Sequence, residues 1–120
     1  MPVSYIIDQN QRLVLSRLSG TVTETEVREH NRTLRTDPDF NPSYRQLIDC
    51  TGLTEILVST PTINAISHDQ FFAPGTRRAF IATTDAAFGL ARMFALQAEG
   101  SGQTIEVFRE RRLAEEWLGI

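Results

Sequence analysis

Apolar and polar residues change rhythm along this chain, and the changes mark its elements. Val3 to Asp8 (VSYIID) and Arg12 to Leu18 (RLVLSRL) are strand-like runs separated by Gln9-Asn10-Gln11. Two such runs across a short polar break predict an antiparallel hairpin, with Asn10 suited to a left-handed turn position. Gly20-Thr21-Val22 leads out of it. Thr23 and Glu26 form the capping box T-x-x-E, and Val22 and Val27 stand where a hydrophobic staple would be. The helix to Thr36 has a thin apolar stripe, Val27 and Leu34 with His30 and Asn31 beside it, which places it at an edge of the fold.

Asp37 to Pro42 is a loop, because both prolines push their preceding residues out of the helical region. Arg45 to Cys50 (RQLIDC) is the next strand, ended by Thr51-Gly52. An irregular crossing through Ile56, Leu57 and Val58 follows. Thr60-Pro61 then opens a helix, with the Thr60 hydroxyl as N-cap and Pro61 at the first helical position. Ile63 and Ile66 are its inward residues, and Phe71-Phe72-Ala73-Pro74-Gly75 breaks it.

The stretch from Arg77 to Phe94 is the centre of the pattern. Arg78 to Ala82 reads as a buried strand, and Thr84-Asp85 caps a helix of good helix formers from Ala86 to Ala98. A buried strand feeding directly into an apolar helix is half of a βαβ unit. Thr104 to Phe108 gives a last strand and Arg111 to Leu118 a closing helix anchored by Leu113, Trp117 and Leu118. The order is β-β-α-β-α-β-α-β-α, an α/β fold.

Bulk properties narrow the function classes. At 120 residues the chain has the length of one domain, with a core that needs no staple. Cys50 is the single cysteine, so no internal disulfide forms, and a reducing, cytoplasmic compartment is expected. No signal peptide or membrane span is read from Met1-Pro2-Val3-Ser4 or from any long apolar run. A net charge of −3 argues against nucleic acid. The nearest basic cluster, Arg109, Arg111 and Arg112, is interleaved with Glu110, Glu115 and Glu116 and reads as a solvated helix face.

Several stretches carry a family likeness: Leu47-Ile48-Asp49-Cys50-Thr51-Gly52-Leu53-Thr54, Arg78 to Ala82, Phe88 to Phe94, and Val107-Phe108 ahead of Glu116-Trp117-Leu118. On these the chain resembles the STAS-like superfamily of small bacterial proteins, that of the sporulation anti-sigma-factor antagonist SpoIIAA. More narrowly it resembles the STAS/SEC14-like single domains. The resemblance implies a mixed sheet with strands stepping in order and helices mainly on one face. It also implies two roles, phospho-switched protein binding in antagonists and apolar-ligand binding in SEC14-like domains. In antagonists the switch is a serine at the start of the helix after the third strand, in an Asp-Ser-Ser-Gly-like context. The matching stretch is Val58-Ser59-Thr60-Pro61, where Val58 and Pro61 replace the motif's Asp and Gly. Ser59 and Thr60 are thus candidates either for phosphorylation or for capping, and capping by Thr60 is the favoured reading.

Chemistry is thinly represented. Ligands in open α/β sheets collect at the carboxyl ends of strands, here Asp49-Cys50-Thr51, Thr83-Thr84-Asp85 and Arg109-Glu110. Cys50 as a nucleophile needs a base, and neither His30 nor His68 is a sequence neighbour; a small buried side chain is the plainer reading. One cysteine and two distant histidines lack metal-ligand spacing, and no Gly-rich loop joins a strand to a helix, so no metal or cofactor is expected. His68-Asp69 are adjacent on a helix end and do not face each other.

The leading expectation is therefore a non-catalytic regulatory or protein-interaction module, self-association being one form of it. A carrier or sensor of a small apolar ligand is the alternative, which an apolar cavity would favour. Phe71 and Phe72 are candidates for a pocket mouth, or for one core ring and one half-exposed ring. Gly89, Met93 and Leu96 form a second apolar strip on the central helix, away from its sheet-facing arc. They are a candidate homodimer interface, or else they pack on the helix carrying Trp117.

Overall fold

In the computed structural model, which describes residues 2–120, β1 (Val3–Asp8) and β2 (Leu13–Thr23) form the antiparallel hairpin, Val3 opposite Leu18 and Asp8 opposite Leu13. The Asp8 carboxylate accepts from the Gln11 backbone N–H at 3.1 Å and its side-chain amide at 2.8 Å, which organises the turn. The left-handed residue is Arg12, at φ 54°, and not the expected Asn10. With residues 9–11 held around Asp8, the reversal falls on the residue that enters β2.

β2 then pairs in parallel with β3 (Arg45–Leu57), β3 with β4 (Arg77–Ile81) and β4 with β5 (Thr104–Phe108), so the sheet order is β1-β2-β3-β4-β5. The connecting helices are α1 (Glu24–Thr36), α2 (Thr60–Ser67) and α3 (Asp85–Glu99), and α4 (Arg111–Leu118) follows β5. Three parallel steps in one direction with right-handed crossovers stack α1, α2 and α3 on the same face. Strand alternation sorts the core accordingly. Leu13, Leu47, Ala79 and Ile81 pack against Ala114 and Leu118 of α4, whereas Ile48, Cys50 and Ala82 pack against Ala87 of α3. Val14 meets Leu34 of α1 and Phe72. The mixed sheet with helices mainly on one face is the architecture expected from the sequence.

β4 begins and ends one residue earlier than the expected Arg78–Ala82, and two larger differences concern the β2–β3 pair and the cap of α2. β2 and β3 each continue past Leu18 and Cys50 as a paired arm, to Thr23 opposite Leu57. Across the arm, β3 carries one extra residue between the Arg17 and Ser19 pairs and another between Gly20 and Thr21. Such bulges break the alternation that marks a strand, which is why residues 51–57 look irregular in sequence. Gly52 suits the close approach there, since a Cβ would lie 3.2 Å from the Ser19 Cβ and one of the two would have to give by a few tenths of an ångström.

The second difference is the cap of α2. Ser59, not Thr60, is the N-cap: its hydroxyl accepts from the Thr62 N–H at 3.3 Å. Pro61 has no N–H, and the Ile63 N–H already reaches the Ser59 carbonyl, so Thr62 is the donor left for a side-chain cap. The other expected caps are present. Thr23 and Glu26 bond reciprocally, and Thr84 accepts from Ala87.

Candidate functional site

On the three-helix face, sheet and helices leave a cavity of about 120 Å³. Its walls are apolar: Ile48, Cys50 and Phe80 from the sheet, Leu53 and Ile56 from the β2–β3 arm, Val27 from α1, Ile63 and Ile66 from α2, and Leu90, Ala91 and Phe94 from α3. Small lining residues leave this volume open, chiefly Ala87, Ala91, Cys50 and Ser16. The β-bulged arm supplies the wall beyond the end of β4.

One end of the cavity is polar. Ser16, His30, Asn31, Gln46 and Arg78 line it. Alternation explains two of them, because Gln46 and Arg78 are two residues before Ile48 and Phe80 and share their face. They are also paired in register across β3 and β4. On α1, Val27, His30, Asn31 and Leu34 follow i, i+3, i+4, i+7 spacing, so the two polar residues point inward with the two apolar ones.

These side chains form a directed chain of hydrogen bonds. Arg78 Nε donates to Gln46 Oε1 at 2.9 Å, and Gln46 Nε2 donates to Ser16 Oγ at 3.0 Å. Asn31 Oδ1, facing His30 Nδ1, can only accept, so in the neutral ring Nε2 is the acceptor and the Ser16 hydroxyl donates to it at 2.9 Å. His30 is thereby left with its proton on Nδ1, which donates to Asn31 Oδ1 at 2.9 Å. Burial pushes the His30 pKa below its ordinary value, the Asn31 bond opposes this, and the nearby Arg78 charge adds to it. The ring is neutral and both its nitrogens are engaged.

Arg78 is the anomaly of the core. It is 8% exposed, and among the described residues no carboxylate pairs with it. Nη1 donates to Gln103 Oε1 at 2.5 Å, and Gln103 in turn donates to the Ser67 carbonyl at 2.6 Å. The guanidinium lies 4.3 Å from the Phe72 ring centroid and 6.0 Å from that of Phe94. Burial pulls its pKa down to about 10, so it stays a cation at neutral pH. Removing an ion from water costs several kcal/mol unless it is fully paired, and neutral amides and ring faces offset only part of that.

The residues singled out in sequence fall in several places. Cys50 lines the cavity but is buried, and burial together with the Asp49 charge pushes its thiol up to about 12. With both His30 nitrogens occupied, that ring has none left to activate it. Asp49 faces the opposite side of the sheet, 2.8 Å from Arg111 and 3.8 Å from Arg17. Burial alone would raise its pKa, but the Thr51 hydroxyl and N–H and the Arg111 charge outweigh that and hold it low.

Phe72 is 5% exposed and packs with Val14 and Leu34, while Phe71 is half-buried; neither ring lines this cavity. Ser59 is at the surface beside Glu24. His68 bonds the Asn64 carbonyl, and Asp69 pairs with Arg35 at 2.7 Å, so that dipeptide makes no joint site. Gly89 and Leu96 are on the outer side of α3, and α4 packs on the other face of the sheet, where Trp117 meets Phe108. The expectation that this strip rests on the Trp117 helix is therefore wrong. It arose because sequence order does not say on which face a final helix lands.

No family model matches the chain, and no curated protein matches it in sequence. A solved structure does match: an uncharacterized protein of the DUF3478 family with a SpoIIAA-like fold, from Shewanella loihica PV-4. The superposition covers 97% of this chain and 91% of that one at a TM-score of 0.61. The fold is SpoIIAA-like. Sequence identity is 18%, so the likeness carries the architecture alone. This agrees with the STAS-like, SpoIIAA-like fold that the sequence resembles. Sequence reading missed the Ser16–His30–Gln46–Arg78 set, although the signal was present in a charged residue at the head of a strand read as buried.

Proposed function

We propose that this SpoIIAA-like chain is a non-catalytic binding module that holds a small, largely apolar molecule in the cavity under α1, α2 and α3. The supporting observation is the cavity itself, about 120 Å³ with apolar walls and a few convergent polar groups at one end. An apolar space of about 150 Å³ suffices for benzene, so the occupant is a single ring or a chain of a few carbons. Catalysis receives no support from the same residues. The thiol is protonated, the imidazole is neutral with both nitrogens engaged, and Asp49 is on the far face.

Native mass spectrometry of freshly purified protein and thermal denaturation with toluene, benzamide and benzoate test this reading. A bound ligand at a hundredfold excess over Kd stabilises a protein by about 2.7 kcal/mol, a shift of several degrees for a chain of this size. The absence of both a retained mass and a thermal shift with any of the three probes would overturn it.

A second reading has its own observation. Among the described residues a Cβ built at Gly89 would meet nothing within 4 Å, and Leu96 is 60% exposed on the same outer strip. We propose this strip as the surface for self-association, compatible with ligand binding on the helix's opposite side.

A further inference from the structure

We infer that the molecule held in this cavity is an apolar carboxylate, recognised by Arg78. The inference rests on the cavity being a binding site and adds the chemical class of its occupant. Arg78 is a cation buried at the polar end of an otherwise apolar space. Its two partners, Gln46 and Gln103, are neutral acceptors that engage Nε and one proton of Nη1. The remaining Nη1 proton and both Nη2 protons are not used by either glutamine. Those two nitrogens form the edge of the guanidinium that fits a carboxylate with two parallel bonds.

The surroundings favour an anion over other polar groups. Gln46 is itself fixed by Ser16, and Gln103 by the Ser67 carbonyl, so both hold the guanidinium in place rather than following it. Phe72 and Phe94 lie near the guanidinium and bring no opposing charge. The neighbouring His30 is neutral, so nothing else in the polar end carries charge to compete for the anion or to repel it. A hydrophilic anion such as phosphate would lose its hydration against Ile48, Phe80, Leu90 and Phe94 without return. An acid with a ring or short chain places its body on those walls and its charge on Arg78.

The test compares wild-type affinities, by calorimetry or thermal shift at pH 7.5, for two isosteric pairs: benzoate with benzamide, and hexanoate with hexanamide. Each pair differs in charge and hardly in shape. A charge-assisted bidentate contact should favour at least one acid over its amide by about tenfold or more. In Arg78→Met, acid binding should fall to the level of the amide while amide binding persists. Amides that bind as well as their acids in the wild type would overturn the carboxylate inference and leave the cavity reading standing. Inorganic phosphate binding as tightly as the acids would also overturn it, since an apolar body would then be irrelevant. Silence from all four probes and from toluene removes the cavity reading itself. If Arg78→Met does not fold, the wild-type comparison decides alone.

Discussion

The backbone N–H of Ser59 donates to the Glu24 carboxylate at 2.8 Å, so the cap of α2 is bonded to the first residue of α1. The Ser59 hydroxyl meanwhile closes α2 through Thr62. The Ser59 backbone bond, with smaller contributions from the Ser59 and Thr62 hydroxyls, holds the Glu24 carboxyl below its ordinary range. Ser59→Ala should therefore cost about 1 kcal/mol in urea denaturation, and Thr60→Ala less than about 0.5 kcal/mol. A larger loss from Thr60→Ala than from Ser59→Ala would reverse the assignment of the cap. A phosphate on Ser59 would stand beside Glu24 and repel it, and intact-mass analysis of the natively expressed protein shows whether one is added.

The buried, neutral His30 sets a pH dependence. Its folded pKa is lowered, by burial first, so the unfolded chain takes up a proton more readily. Above the ordinary histidine value of about 6.5 both states are neutral and nothing is lost. As pH falls below that value, stability drops, with a slope of up to about 1.4 kcal/mol per pH unit, until the folded ring also protonates. The loss precedes most carboxylate titration. Urea midpoints from pH 8 to pH 5 should show it in the wild type and not in His30→Gln, where His68 remains as an internal control. A wild type with a flat profile over that range would contradict the neutral, desolvated ring.

Cys50 makes a simpler prediction. A thiol pushed up to about 12 by burial and by the Asp49 charge is not a thiolate at pH 8, and its sulfur is walled in. Ellman's reagent should leave the native protein unlabelled for hours and react at once in denaturant. Rapid stoichiometric labelling of the native state would mean that the cavity wall opens. Occupancy of the cavity should slow any residual labelling, because Cys50 is part of its lining.

How much of this was readable in the sequence follows from where side chains report locally. The capping box at Thr23, the cap at Thr84, the hairpin and the bounds of β5 and α4 are local decisions, and the residues announce them. The arm of β3 beyond Cys50 is not local. Its strand character comes from pairing with β2 across two bulges, and residues 51–57 carry no alternation of their own. The cavity was less legible still. It depends on Ala87, Ala91, Cys50 and Ser16, small residues of different elements, lining one space, which no single stretch records. Yet Arg78 at the head of the central strand, and His30 with Asn31 on the inward arc of α1, were visible conflicts between local pattern and burial. Such conflicts point to sites.

The last prediction concerns the outer face of α3. Gly89 is a mid-helix glycine, costing up to about 1 kcal/mol relative to alanine, yet its missing Cβ admits no neighbour among the described residues. Leu96 is 60% exposed two turns on, with Met93 half-buried between them. A second copy approaching this strip closely would account for both, and the commonest closed arrangement is a two-fold dimer with the strip near its axis. Wild type should then sediment as a dimer at tens of micromolar concentration. Met93→Glu combined with Leu96→Glu should give a monomer with an unchanged far-ultraviolet spectrum. Gly89→Ala separates the two explanations of the glycine. In an isolated monomer the added methyl meets open space and raises stability by about 0.5–1 kcal/mol. At a close two-fold contact it strains the interface and weakens the dimer instead. A wild type that sediments as a monomer at every concentration, with Gly89→Ala simply more stable, removes the interface and leaves the glycine without a packing role.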